Sequence, residues 1–167
     1  MGCLGIHVSL SRGEVERLCA IADEAARVEH FHEVIEEEYF ANHPQRMAES
    51  DKAWDAMHRT LADGELTWDG GNYPLNHVVL GGELLYTGDD FIMVLKTPDQ
   101  VRDVAAALTT LTEDDFRTRY FAINAESYGC PLDEQDFGYT WEWFQEVRQF
   151  WIRAADEGRF VLFTADQ

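Results

Sequence analysis

Two stretches carry side chains from which a reaction site could be assembled. Residues 30–43, HFHEVIEEEYFANH, hold three histidines, four glutamates and a tyrosine. Within them His32 and Glu36 stand at the i, i+4 spacing of helical metal ligands. That is one histidine short of the zinc-protease pattern, and no second histidine-rich motif lies close by. Residues 51–61, DKAWDAMHRTL, set Asp51, Asp55 and His58 along one side of a helix. An aspartate one turn before a histidine can orient its imidazole, in catalytic and structural settings alike. None of Ser9, Ser11, Ser50 or Ser127 sits in a Gly-x-Ser-x-Gly turn, so no nucleophile accompanies it.

A helical wheel sorts the first stretch. Val28, Phe31, Ile35 and Tyr39 share an apolar face, and Val34 sits on its edge. His30, Glu29, Glu33, Glu36 and Glu37 oppose them, and His32 falls at the border. The reading is a solvated helix face with no metal site. Glu38 is the exception, because the wheel turns it to the apolar side. Arg148 falls likewise inside the stripe of Phe137, Trp141, Phe144, Trp151 and Ala155. A charge on an apolar face must be paired or reach water. Glu38 and Arg148 are therefore expected as buried charges, each with a polar partner, the other being one option.

The second stretch reads as core with a polar margin. Trp54, Met57 and Leu61 form its buried face, and His58 sits at the core edge beside Asp55. The alternative is a pocket around His58 and Asp55, closed by the Gly81-Gly82 turn, with Tyr128 and Cys130 of SYGCPLD at its rim. Paired glycines serve a tight turn or expose N–H groups to an anion, and the turn is the expected use.

These residues must be held by an α+β fold: one domain over 1–167, with helices on a small mixed or antiparallel sheet that both termini join. Residues 3–9 alternate as a half-buried strand, and Ser11 with Glu14 forms a capping box opening a helix over 12–27. Further helices are expected over 28–41, from Ser50 or Asp51 to Gly64, and over 139–156. Residues 63–74 read as loop and FIMVLK, 91–96, as a strand. LNHVVLGGELLYTG is a hairpin or a turn followed by a strand. Thr97 caps a helix running to Leu111, Thr112 opens another, 123–136 is irregular, and RFVLFTA closes the sheet.

Composition narrows the function classes. With 32 acidic and 13 basic residues the net charge is −19, which repels phosphate backbones and so excludes direct nucleic-acid binding. It favours a basic protein partner. No apolar run approaches the roughly 20 residues of a membrane span, and no signal peptide is evident. A cytoplasmic protein is expected. Cys3, Cys19 and Cys130 form no CxxC and are expected as buried free thiols. No cofactor is indicated.

In order along the chain, MGCLGIHVSLS, DKAWDAMHRTL, PLNHVVLGGE, LKTPDQVRDVAAAL and FWIRAADEGRFVLF resemble the YfbM-like family of small bacterial proteins. The resemblance implies a single α+β domain and no established activity. Trp54, His58, Gly81 and Gly82 match its recognisable motifs, and HFHEVIEEEYFANH lies outside them. Two functions follow: a non-catalytic binding or interaction protein that neutralises a basic partner, or a small-molecule binder or enzyme at the His58 pocket.

Overall fold

The computed structural model describes residues 4–167. Five strands pair antiparallel in the order β2-β1-β5-β4-β3. They are β1 (Gly5–Leu10), β2 (Met47–Asp51), β3 (Glu83–Leu84), β4 (Phe91–Lys96) and β5 (Phe160–Asp166). The first and last strands pair along their whole lengths, Gly5 opposite Ala165 and Leu10 opposite Phe160.

Strand alternation sends side chains to two separate cores. Val8, Leu10, Phe91, Met93, Leu95 and Leu162 face one, with Phe31, Ile35 and Tyr39 packed over them. Ile92, Val94, Val161, Phe163 and Ala165 face the other, beneath Trp54, Val104, Phe144, Phe150 and Trp151. Burial on both faces explains why FIMVLK is a continuous apolar run, since neither face needs polar residues.

The first core is covered by α1 (Arg12–Cys19), α2 (Glu24–His30), a π-helical turn (Phe31–Glu36) and α3 (Glu37–Asn42). The second is covered by α4 (Ala53–Leu61), α5 (Pro98–Thr110), α6 (Glu113–Tyr120) and α8 (Glu134–Asp156), with the short α7 (Ala125–Tyr128) between. The capping box at Ser11 and Glu14 forms, as do those at Thr97 with Gln100 and Thr112 with Asp115.

Four expectations need correction. The helix expected over 12–27 breaks after Cys19, and Asp23 caps a new one by accepting from the Ala26 N–H at 2.8 Å. MAESD is a strand, although an alanine and two acids are poor strand formers; backbone pairing with β1 overrides propensity. The long helix begins at Glu134, capped by Asp133, five residues earlier than its aromatic stripe suggested. Cys19 and Cys130 are exposed rather than buried, and Cys3 lies outside the described residues.

Candidate functional site

The helix over 24–42 contains the largest departure from the wheel. The π-turn closes i→i+5 hydrogen bonds and widens the spiral. Phe31, Ile35 and Tyr39 consequently form a straight buried row at a spacing of four, and Val34 and Glu38 rotate to solvent. Glu38 is corrected on that ground: its side chain is 55% exposed, 3.8 Å from His43 Nε2. Arg148 is also no buried charge. It is half-buried and donates to the Thr109 carbonyl at 3.2 Å. The two side chains belong to opposite layers, so each has its own partner.

His58 is sealed. It lies on α4 in the second core, and its Nε2 donates to the Thr67 carbonyl at 2.8 Å. Burial and the nearby Lys96 push its pKa down to about 4, so it is neutral near pH 7. Asp55 does not orient it. The Asp55 carboxylate accepts instead from Arg59 Nε at 2.5 Å. Arg59 is itself buried, donates to Ser127 Oγ at 2.8 Å and lies over the Tyr128 ring at 5.6 Å. Asp55 and Tyr128 therefore serve a clamp between α4 and α7. Arg59→Ala is expected to cost roughly 2–3 kcal/mol in urea unfolding, because it strands a partly buried carboxylate. A change within experimental error would show the clamp to be idle.

Gly81 and Gly82 form a turn. The Gly81 N–H donates to the Asn76 carbonyl at 2.9 Å and is not free for an anion. Gly82 has φ of +127°, and a Cβ there would approach the Leu95 carbonyl oxygen to 2.5 Å. Glycine is required because β4 passes so closely. LNHVVLGGELL is thus a 3-10 turn at Leu75–His77 followed by the short β3.

Sequence reasoning missed the polar cluster that this turn covers. His7 on β1 is fully buried and donates from Nε2 to the Val78 carbonyl at 2.8 Å. Its ring packs 4.8 Å from Phe163 and 6.1 Å from Trp151, centroid to centroid. Lys96 at the end of β4 is fully buried too, donates to the adjacent Val79 carbonyl and faces the Phe163 ring. Two neighbouring carbonyls are thus satisfied by two buried bases, which pin the 75–82 segment to the sheet. Burial depresses Lys96 well below its ordinary range and, with Lys96 beside it, pushes His7 down to about 3. The readable signal was a basic residue closing an otherwise apolar strand.

Two surface hollows complete the geometry. One, of about 270 Å³, is lined by Trp54, Leu66, Trp68, Leu80 and Ile92. Of the pocket residues expected from sequence, Trp54 borders it; Asp55, His58, Gly81, Gly82 and Tyr128 do not. The other, of about 760 Å³, runs between the π-turned helix and the sheet end formed by β1, β4 and β5. Among the described residues, no three His, Cys, Asp or Glu side chains are grouped to hold a metal. No described helix is long and apolar enough to cross a membrane.

An antiparallel sheet buried between two helical layers defines an α+β protein of the YfbM-like type. Residues 1–164 match the family described as a domain of unknown function, DUF1877, and the chain belongs to that family. Its structure is similar to the crystal structure of a protein of unknown function, YfbM from Escherichia coli, with a TM-score of 0.71 at 20% identity. The match covers 97% of this chain and 99% of that one. No curated protein matches the chain.

Proposed function

We propose that this protein is a non-catalytic interaction module of the bacterial cytoplasm, which uses its acidic surface to bind and neutralise a basic protein partner. The observation that carries this reading is the separation of its ionisable groups. His7, His58 and Lys96 are buried and engaged with backbone carbonyls, whereas Glu29, Glu33 and Glu37 are exposed at spacings of four along one helix. With His58 enclosed and Asp55 held by Arg59, the pair is unavailable to a substrate. A surface of net charge −19 attracts cations and speeds their encounter. Affinity capture from lysate at low and moderate salt is expected to recover a partner of high isoelectric point, weakened as salt rises. Recovery of no specific basic protein would contradict the proposal.

A second reading, small-molecule binding, draws on the aromatic hollow beside Trp54 and Trp68. Such a ligand would be small and amphipathic, since Trp54, Leu66 and Trp68 share the walls with Thr87, Asp89 and Gln167. Trp68→Ala would then abolish ligand-induced changes in tryptophan fluorescence. A panel of small aromatic compounds that leaves the fluorescence unchanged would remove this reading.

A further inference from the structure

The groove under the π-turned helix has properties that its residues do not need for folding. It is lined by Ile6, Phe91 and Thr164 and Ala165 of β5, with Phe40 on the helix side. Leu4 and Phe40, at 50% and 48% exposure, border it. Large apolar side chains left in water around a hollow mark surfaces that another molecule covers. The polar margin is one-sided: Glu36, Glu37 and Asp166 line it, and no lysine or arginine does. His32 is held against this margin, with Nδ1 2.7 Å from Glu36 Oε2 and its ring edge-on to Phe91 at 5.1 Å.

The backbone supports the same reading. π-turns are rare, and they recur where a helix must re-aim side chains at a functional surface. Here the turn spans Phe31–Glu36. Phe31 and Ile35 stay buried beneath the helix while His32 and Glu36 line the groove and Glu38 turns out to solvent. A regular α-helix would keep the wheel's face, with Glu38 turned inward.

We infer that this groove docks a cationic amphipathic segment of a protein partner: apolar side chains against Ile6 and Phe91, flanking lysines or arginines against Glu36, Glu37 and Asp166. The inference rests on the acidic-interaction reading and names its surface. Charge selects the occupant. An anionic lipid or a phosphate backbone would meet three carboxylates, and an uncharged apolar ligand would leave them without cations.

The test uses the full chain and a defined probe, a synthetic amphipathic helix of leucine and lysine. A lysine–serine peptide of equal charge is the control. Nitrogen-15 NMR shifts are expected to concentrate on residues 32–41 and 164–166. Phe40→Ser combined with Leu4→Ser should weaken the leucine–lysine peptide about tenfold, as for loss of central apolar anchors. Both residues are exposed, so the variant stays folded. Equal binding of the control peptide, shifts scattered over the acidic surface, or no binding of the leucine–lysine peptide would each overturn the inference. A basic partner captured from lysate that binds the double variant undiminished would overturn the docking site and leave the acidic-interaction reading intact.

Discussion

Lowering the pH from 6.5 to 5 is expected to remove about 3 kcal/mol of stability, through two buried histidines. His7 has a folded pKa near 3 and His58 near 4, both below the ordinary value of about 6.5. The unfolded chain therefore takes up protons below pH 6.5 while the folded chain does not. Stability is fully present about a unit above 6.5 and drains until the folded values are reached. At pH 5 each histidine is 1.5 units below its unfolded pKa; the unfolded ring is already half protonated at 6.5, so at about 1.4 kcal/mol per unit each contributes roughly 1.6 kcal/mol over this window. Against a total of about 5–15 kcal/mol that is a large fraction. The window lies above the ordinary carboxylate range, so relief of acidic self-repulsion enters only at lower pH. Urea midpoints across this range measure the effect. His7→Gln should flatten the slope by about half; a wild-type midpoint constant from pH 6.5 to 5 would contradict the neutral, sealed state of both rings.

Trp151→Ala should cost about 3–5 kcal/mol, the largest single-residue loss expected in the second core. Trp151 is fully buried in the C-terminal part of α8, against His7 and Phe150. Its indole N–H has no protein partner among the described residues, so the cost is packing rather than a broken hydrogen bond. The same substitution has a second, independent readout. Removing the indole opens space beside the His7 ring, whose Nδ1 is likewise buried without a protein partner among the described residues. Water entering there would ease the desolvation that depresses His7, and the acid slope should become shallower. A loss below about 1 kcal/mol would mean that the core collapses around the site.

Much of the fold was legible where one local rule acts alone. Ser11 with Glu14 and Thr97 with Gln100 announce their helices because a capping box is complete within four residues. Phe91–Lys96 announces its strand because burial on both faces leaves one apolar run. Met47–Asp51 announces nothing, since its strand exists only through its pairing with β1. Glu38 was misplaced for a similar reason: a wheel assumes regular α-helix, and the π-turn shifts every residue after it. The candidate site was least legible of all. His58 and Asp55 suggest chemistry by proximity in sequence, yet Asp55 faces Arg59. The groove joins residues 4–6, 32–41, 91 and 164–166, a set that no single helix or strand contains.

HFHEVIEEEYFANH thus divides between three environments. Phe31, Ile35 and Tyr39 anchor the first core, Glu33 and Glu38 face solvent, and His32, Glu36, Glu37 and Phe40 line the groove. On the proposed reading this stretch serves recognition, and His58 lies enclosed elsewhere in the second core.

The central claim, that function resides on the acidic surface and not in the buried histidines, is tested most directly by one paired titration. The captured basic partner is titrated calorimetrically into His58→Gln and into Glu36→Gln with Glu37→Gln, each first shown to be folded. Unchanged affinity for the histidine variant and an affinity reduced severalfold, with a shallower salt dependence, for the glutamate variant are the expected results. Loss of binding in folded His58→Gln, with the glutamate variant unaffected, would contradict the account.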